Sequence, residues 1–312
     1  MTLPLVIDTD PGIDDSLALI LAARSRAARL LAVSTSYGNA TLETTTRNAR
    51  LVLRRAGAMA PVFPGADRPL VRPLITAKET HGGDGLGDHR LPPAESVTPT
   101  STAILDALRA AGGPVTLVTL GPLTNLALAL RNDPAFLRSR VTRHVAMGGN
   151  IAAAGNSGGL AEFNVWCDPE AAAEVFAARL GTELVGLDVT RRLVVPAAAV
   201  HKLASHADEE ARWLGSLLGF YVRFHQEYEG LPGAIINDPL AVALALEPAW
   251  GSADTVPLTV SLAEQTGRGE TLVGTAGDPP VRVYRDFEVG AVHDLLLECL
   301  FGRWLTKADF QP

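Results

Sequence analysis

The segment that decides the fold is Leu3-Pro4-Leu5-Val6-Ile7-Asp8-Thr9-Asp10-Pro11-Gly12-Ile13-Asp14-Asp15. Its first half, Leu3–Asp8, is an apolar run without polar alternation, which is typical of a strand buried on both faces. A helical pattern, Ile13–Arg24, begins only five residues later, so Pro11 and Gly12 lie at a tight strand-to-helix turn. A buried strand that leads directly into a helix predicts the opening unit of a parallel α/β sheet.

The same alternation of short apolar runs and longer helical patterns continues along the chain. Further strands are predicted at Arg29–Ser36, Val115–Leu120, His144–Met147, Glu183–Asp188, Val256–Val260 and Val281–Tyr284. Further helices are predicted at Leu42–Ala56, Ser101–Ala111, Leu123–Arg131, Pro169–Leu180 and Gly290–Trp304. This pattern predicts an open, mostly parallel, Rossmann-like α/β sheet with helices on both faces.

No linker or shift in composition divides the chain, so residues 1–312 are expected to form one domain. Two consecutive helices are predicted over Pro196–Tyr228 with no strand between them, and residues 196–236 are therefore expected to form a helical cap beside the sheet.

Composition excludes several classes of function. Hydrophobic residues make up 47% and charged residues 20% of the 312 residues, which is typical of a globular protein. The formal net charge is −7, and aromatic residues make up 5%, so neither nucleic acid nor an anionic membrane is an expected partner. The two cysteines, Cys167 and Cys299, have unrelated spacing and the first residues lack a basic signal-peptide region, so we expect a reducing, cytoplasmic location.

Polar or glycine-rich turns follow five predicted strands. In an open parallel sheet these turns meet at the carboxyl edge, where ligands bind. The turn after the first strand, Asp8–Asp15, holds four carboxylates in eight residues. Such a cluster repels itself unless a cation is present, and oxygen ligands favour Ca²⁺ or Mg²⁺ over zinc. Helix capping by Asp14 and Asp15 is the alternative, but it accounts for two of the four acids.

The octapeptide Asp8–Asp15 resembles the N-terminal signature of the calcium-dependent nucleoside hydrolases, the inosine-uridine preferring family. Further matching segments follow in order: Tyr37-Gly38-Asn39, His81-Gly82, Asp84-Gly85-Leu86-Gly87, Leu120–Asn125, Met147-Gly148-Gly149, Asn156, Ala161–Asn164, Asp168–Ala172 and Asp238-Pro239-Leu240-Ala241. The resemblance implies a homodimer or homotetramer that hydrolyses the N-glycosidic bond of ribonucleosides to ribose and free base.

The resemblance also implies roles for individual residues. The Ca²⁺ ligands would be Asp10, Asp15, the backbone carbonyl of Leu120, and Asp238. Asp10 would in addition take the proton from a calcium-bound water. The ribose side would be formed by Asp14, Asn39 and Asn164 at the 2′ and 3′ hydroxyls, Asn156 and Glu162 at the 5′ hydroxyl, and Met147 on the pocket wall. Taken singly, Asn39 and Asn156 are equally well explained as turn residues, since asparagine tolerates the left-handed conformation.

The chain departs from the family at Asn237. Many relatives have a histidine directly before the last metal-binding aspartate, and that histidine is implicated in protonating the departing base. An amide donates a hydrogen bond but delivers no proton at neutral pH. His81, in a turn that matches a family element of the base pocket, is the expected replacement acid. His225 is a second candidate for the base side, although an exposed position on the cap helix is slightly favoured for it.

Two other functions fit part of the pattern. A haloacid-dehalogenase-like phosphatase also has paired aspartates after its first strand, but it expects threonine or valine where this chain has Gly12, and it leaves Asn39, Asn156 and Glu162 unexplained. A catalytically impaired protein that binds nucleosides or ribose without turnover is the other alternative, and Asn237 is the reason to consider it.

Overall fold

The computed structural model describes residues 2–89 and 91–311. Its centre is a nine-stranded sheet, and a separate pair of short strands, β7 and β8, lies beside it. The strands are β1 (Leu3–Thr9), β2 (Ala28–Thr35), β3 (Val62–Pro64), β4 (Val115–Thr119), β5 (Val141–Met147), β6 (Glu183–Val185), β7 (Val194–Pro196), β8 (Gly233–Ile235), β9 (Gly251–Val260), β10 (Thr271–Val273) and β11 (Pro280–Phe287).

The strand order of the large sheet is β10-β9-β11-β6-β5-β4-β1-β2-β3. From β11 to β3 all neighbours are parallel, whereas β9 is antiparallel to both β10 and β11. The chain builds β2 and β3 on one side of β1 and then returns to place β4 on the other side. The order therefore reverses between β1 and β4, and this switch point is where α/β sheets form their ligand crevice.

Helices cover both faces of this sheet. They are α1 (Ile13–Arg24), α2 (Leu42–Ala56), α3 (Lys78–His81), α4 (Ala103–Ala111), α5 (Thr124–Asn132), α6 (Pro134–Arg140), α7 (Phe163–Cys167), α8 (Pro169–Ala177), α9 (Leu187–Thr190), α10 (Ala197–Ala204), α11 (Glu209–Phe224), α12 (Asn237–Leu246) and α13 (Val289–Leu296). Single π-helical turns follow α11 and α13, at His225–Glu229 and Leu297–Phe301, and 3-10 turns lie at Pro248–Trp250 and Lys307–Phe310.

Strand β1 shows why its sequence is apolar throughout. Leu5 and Ile7 pack into the core on one face of the sheet, and Val6 packs into the core on the opposite face. All three side chains are fully buried. A strand that is covered on both sides has no polar face, so the predicted open parallel α/β sheet is confirmed.

The fifth predicted strand, Glu183–Asp188, is too long. Strand β6 ends at Val185, Gly186 caps the next helix, and Leu187 and Asp188 begin α9. The apolar run that suggested a longer strand continues into the helix, because that helix is buried too. Strands β3, β7, β8 and β10 are additional to the predicted set, and each is only three residues long.

The two consecutive helices predicted over Pro196–Tyr228 are present as α10 and α11, and α11 packs against α1 and α3. Among the described residues, no helix combines the length and the apolar character needed to cross a bilayer.

Candidate active site

A cleft opens at the carboxyl edge of the sheet, above the switch point between β1 and β4. It encloses about 690 Å³, part of it open to solvent. Eleven of the sequence-predicted residues line it: Asp14, Asn39, His81, Leu120, Met147, Asn156, Glu162, Asn164, His225, Asn237 and Asp238. The two remaining predicted residues, Asp10 and Asp15, are fully buried.

Asp15 is held by the turn between β1 and α1. Its carboxylate accepts hydrogen bonds from the backbone of Gly12 at 3.0 Å, from the Asn39 amide at 2.7 Å and from the Thr9 hydroxyl. Burial, and then the charge of Asp14, raises the pKa of Asp15 to about 6. The turn therefore holds the Asp15 carboxylate in a buried position. A bound cation would offset the free-energy cost of burying its negative charge there.

Three buried carboxylates meet here. Oxygen atoms of Asp14, Asp15 and Asp238 lie within 4.8 Å of one another. Burial, followed by the charge of Asp14, raises the pKa of Asp238 well above its usual range. Arg191 is the one lysine or arginine among the described residues that line the cleft, so no lysine there neutralises the three carboxylates. An all-oxygen, carboxylate-rich donor set of this kind fits a hard divalent cation.

Asp10 lies between the loops that follow β2 and β4. Its Oδ2 accepts the backbone N–H of Asn39 at 2.7 Å, while Oδ1 is buried without a hydrogen-bond partner. A Cβ on Gly38 would lie 2.0 Å from this carboxylate, and one on Gly121 would lie 2.2 Å from it. These glycines leave room for Asp10, and burial, followed by the charge of Asp15, raises its pKa well above the usual range.

Glu162 and Asn164 form the opposite wall, at the start of α7. The Glu162 carboxylate caps α7 and also accepts the backbone N–H of Gly149 at 2.9 Å, and burial raises its pKa to about 7. The Asn164 amide donates to the Leu120 carbonyl at 2.7 Å and contacts the carbonyl and sulfur of Met147. The ends of β4 and β5 are thus tied to the same helix.

Asn156 lies on the exposed loop between β5 and α7. Its Oδ1 accepts the backbone N–H of Phe163 at 2.9 Å. Asp188 anchors the same loop, since its carboxylate accepts the backbone N–H groups of Ile151, Ala152 and Ala153 at 2.7–3.0 Å. Asp188 therefore supports the cleft from outside it.

Two histidines and a tyrosine form an aromatic wall on the cap side. The Tyr221 ring lies 5.3 Å from His81 and 4.5 Å from His225, centroid to centroid. The backbone N–H of Ile13 donates to Nδ1 of His81 at 3.1 Å, and that of Ile235 donates to Nδ1 of His225 at 3.4 Å. Burial lowers the pKa of each histidine to about 4, so both rings are neutral at pH 7, with the remaining N–H on Nε2.

His225 is buried, with 4% of its surface exposed. The expectation that it is an exposed helix residue is therefore wrong. The sequence pattern places His225 on a helical turn. It does not show that Tyr221 and β8 cover this side chain.

Asn237 lies at the start of α12. Its backbone N–H and its Nδ2 both donate to Oδ2 of Asp14 at 3.2 Å. Asn237, which departs from the family pattern, therefore orients one of the three carboxylates that could hold a metal ion.

Several matching motif residues lie outside the cleft and hold the loops together. Asn125 donates to Asp8 at 2.8 Å, and Thr124 donates to Asp168 at 2.7 Å. Tyr37 shares a hydrogen bond with Thr124 at 2.9 Å. The four acids of the opening turn thus divide, since Asp8 supports the loop network while the other three surround the metal-capable site.

Tyr221, Phe224 and Arg191 are among the residues of the cleft wall that the sequence analysis does not predict. The two aromatic residues recur one helical turn or less from His225, a spacing that a search of its helix face could have found. Arg191 follows the buried helix α9 and belongs to no motif, so no local signal marks it.

Comparison with known proteins agrees with this geometry. The family model described as "Inosine-uridine preferring nucleoside hydrolase" matches residues 5–294. A pyrimidine-specific ribonucleoside hydrolase RihA from Salmonella gallinarum is 35% identical over 96% of this chain and 99% of its own length. The RihA from Shewanella woodyi is 37% identical over 96% of this chain and 98% of its own length.

Solved structures agree as well. A plant nucleoside hydrolase, PpNRh1, superimposes with a TM-score of 0.86 at 30% identity and covers 95% of this chain and 98% of its own. An inosine-guanosine nucleoside hydrolase gives a TM-score of 0.85 at 26% identity over 98% of this chain and 100% of its own. The chain is therefore a ribonucleoside hydrolase that belongs to the inosine-uridine preferring nucleoside hydrolase family.

Proposed function

We propose that this protein hydrolyses ribonucleosides with a calcium ion held by Asp10, Asp15, the Leu120 carbonyl and Asp238. The observation that carries the proposal is the convergence of eleven predicted residues on one cleft beside three buried carboxylates within 4.8 Å of one another. A bound calcium ion would polarise the attacking water and grip the ribose hydroxyls.

Asp10 is the proposed general base. Its Oδ1 has no hydrogen-bond partner, and its other oxygen is held by the backbone of Asn39. Burial raises the pKa of Asp10 above its usual range, and a higher pKa makes the carboxylate a stronger proton acceptor. Water attacks C1′ of the ribose, its proton passes to Asp10, and the electron pair of the C1′–N bond leaves with the base.

The ribose is proposed to bind between the two walls of the cleft. Asp14, Asn39 and Asn164 supply acceptors and donors for the 2′ and 3′ hydroxyls, and Glu162 with Asn156 takes the 5′ hydroxyl, while Met147 packs against the sugar. Asn39, Glu162 and Asn164 are already fixed by hydrogen bonds to neighbouring side-chain and backbone groups, which lowers the entropy cost of binding.

His81 is proposed to help the base depart. Because its Nδ1 accepts from Ile13, its Nε2–H is the donor available to the base. His225 and Asn237 complete the base side of the cleft.

The deciding experiment is a panel of ribonucleosides and 2′-deoxyribonucleosides with free ribose as the readout. We expect release of ribose, and a kcat/KM for uridine about 10⁴-fold above that for deoxyuridine, because a missing hydroxyl leaves buried polar groups unpaired. Equal rates for the two would contradict the ribose assignment.

The same panel separates the alternatives. Release of phosphate from simple phosphate esters would support the phosphatase. Tight nucleoside binding with no free base after hours would support an impaired binding protein.

We also propose a single domain, assembly as a homodimer or homotetramer, and a cytoplasmic location. Assembly rests on the family resemblance and is measured by light scattering. The location is supported by Cys167 and Cys299, which are both buried and free. Free cysteines of this kind suit a reducing compartment.

A further inference from the structure

The charges around the cleft are unevenly distributed. Four acidic side chains line it, namely Asp14, Glu162, Asp238 and Glu229, and three of them face the proposed ribose side. Arg191 is the one lysine or arginine among the described lining residues. It lies on the cap side, where the cleft joins the outer groove formed with Phe224 and Glu229.

Arg191 carries an unpaired guanidinium. Within the described part of the chain, its side chain takes part in no hydrogen bond and no ion pair. The next residue, Arg192, differs sharply, because it pairs with Asp286 and stacks on Phe287 at 5.1 Å. Glu229, on the same cleft wall, lies near enough to feel the charge of Arg191, but the guanidinium N–H groups make no hydrogen bond to it and remain available to a ligand.

The other groups on the base side of the cleft do not supply a positive charge. A base that departs from ribose takes the electron pair of the C1′–N bond and becomes an anion. His81 and His225 are neutral rings with an N–H on Nε2. The side-chain amide of Asn237 already donates a hydrogen bond to Asp14. None of these three carries a positive charge that would oppose the charge developing on the base.

We propose that Arg191 donates to the departing base and stabilises the negative charge that develops on it. In uridine the carbonyl oxygen next to the leaving nitrogen shares the negative charge and is an acceptor for the guanidinium N–H groups. The guanidinium keeps its own proton, so the base takes its proton from solvent after release. This inference rests on the proposed function and assigns a residue to its base side.

The test compares uridine with 5-fluorouridine, whose base is more acidic and departs more easily. Removing one donor to a developing anion costs about 10²-fold in kcat. We expect Arg191→Gln to lower kcat for uridine by about that factor and to lower it clearly less for 5-fluorouridine. Arg191→Lys keeps the charge without the guanidinium and should recover part of the loss.

Arg192→Gln is the matched control, since it removes the adjacent arginine whose contacts lie away from the cleft. It should leave both substrates within about twofold of wild type, as expected for a surface ion pair. Equal loss on both substrates in Arg191→Gln, or a loss in KM alone, would overturn the role in leaving-group departure. If wild type releases no ribose from any nucleoside, the proposed function fails, and the assignment of Arg191 fails with it. Ribose release that Arg191→Gln leaves unchanged overturns the assignment of Arg191 alone.

Discussion

The carboxylate of Asp10, the proposed general base, has one oxygen held by a hydrogen bond and one oxygen free. Two loops deliver glycines beside it, one oxygen is held by a backbone N–H, and the other is left without a partner. An unpaired buried oxygen costs free energy in the resting protein, and natural proteins retain that cost mainly where the group is used.

We predict that Asp10→Asn abolishes most turnover while the fold is kept. The amide cannot accept the water's proton, and loss of a general base lowers kcat by about 10²–10⁴-fold. Steady-state kinetics on uridine measures the loss, and circular dichroism checks the fold. A calcium-loaded variant with unchanged kcat would remove Asp10 from the role of base.

Asn237 and His81 allow a second prediction at this scale. We expect Asn237→His to speed hydrolysis of inosine and uridine, and His81→Ala to slow it, while p-nitrophenyl riboside is cleaved well by both variants and by wild type. The nitrophenolate departs without help, whereas a hydrogen-bond donor aimed at the charge that develops on a poor leaving group is worth about 10²–10³-fold in kcat. His81 is not the donor if its removal slows the nucleosides and the artificial riboside equally.

Among the secondary-structure elements, helix α9 is the one that the sequence pattern predicts least well. Gly186-Leu187-Asp188-Val189 extends an apolar run, and a short buried run reads the same in a strand and in a buried helix. Strands of seven or eight residues, such as β1 and β2, were recognisable because their runs are long. The site residues within the family motifs can likewise be predicted from the sequence. Arg191 cannot, because its position depends on where α9 ends.

Asp188 links α9 to the loop beside the cleft, and this link is testable. We predict that Asp188→Asn weakens the three hydrogen bonds to residues 151–153, raises KM for ribonucleosides and speeds amide exchange in that loop. Hydrogen bonds to a charged acceptor are worth about 1.5–3 kcal/mol, and the amide offers a single acceptor oxygen.

Asp133→Asn serves as the control for this change. Asp133 accepts the backbone N–H of Phe136 at the start of α6 and does not line the cleft. We expect it to affect stability but not KM. A KM that stays at the wild-type value in Asp188→Asn would show that the loop binds no substrate.

For the whole molecule, the carboxylate group joins parts of the chain that are far apart in sequence. Asp14 and Asp15 begin α1 next to the central strand β1, while Asp238 begins α12, more than 220 residues later. Asp14 also accepts the backbone N–H of Asn237 at 3.2 Å. A cation bound here would connect the first and last thirds of the fold, so the stability of the entire chain should report on it.

We therefore predict opposite effects of Asp238→Asn with and without calcium. In chelator the three crowded carboxylates repel one another, so the variant should melt at or above the temperature of wild type. In calcium the order should reverse, because an ion at 100 times its Kd stabilises the wild-type fold by about 2.7 kcal/mol and binds the variant more weakly. Differential scanning calorimetry at pH 7 measures both conditions, with magnesium as the comparison ion. A wild-type melting temperature that is the same in calcium and in chelator would mean that these carboxylates hold no calcium.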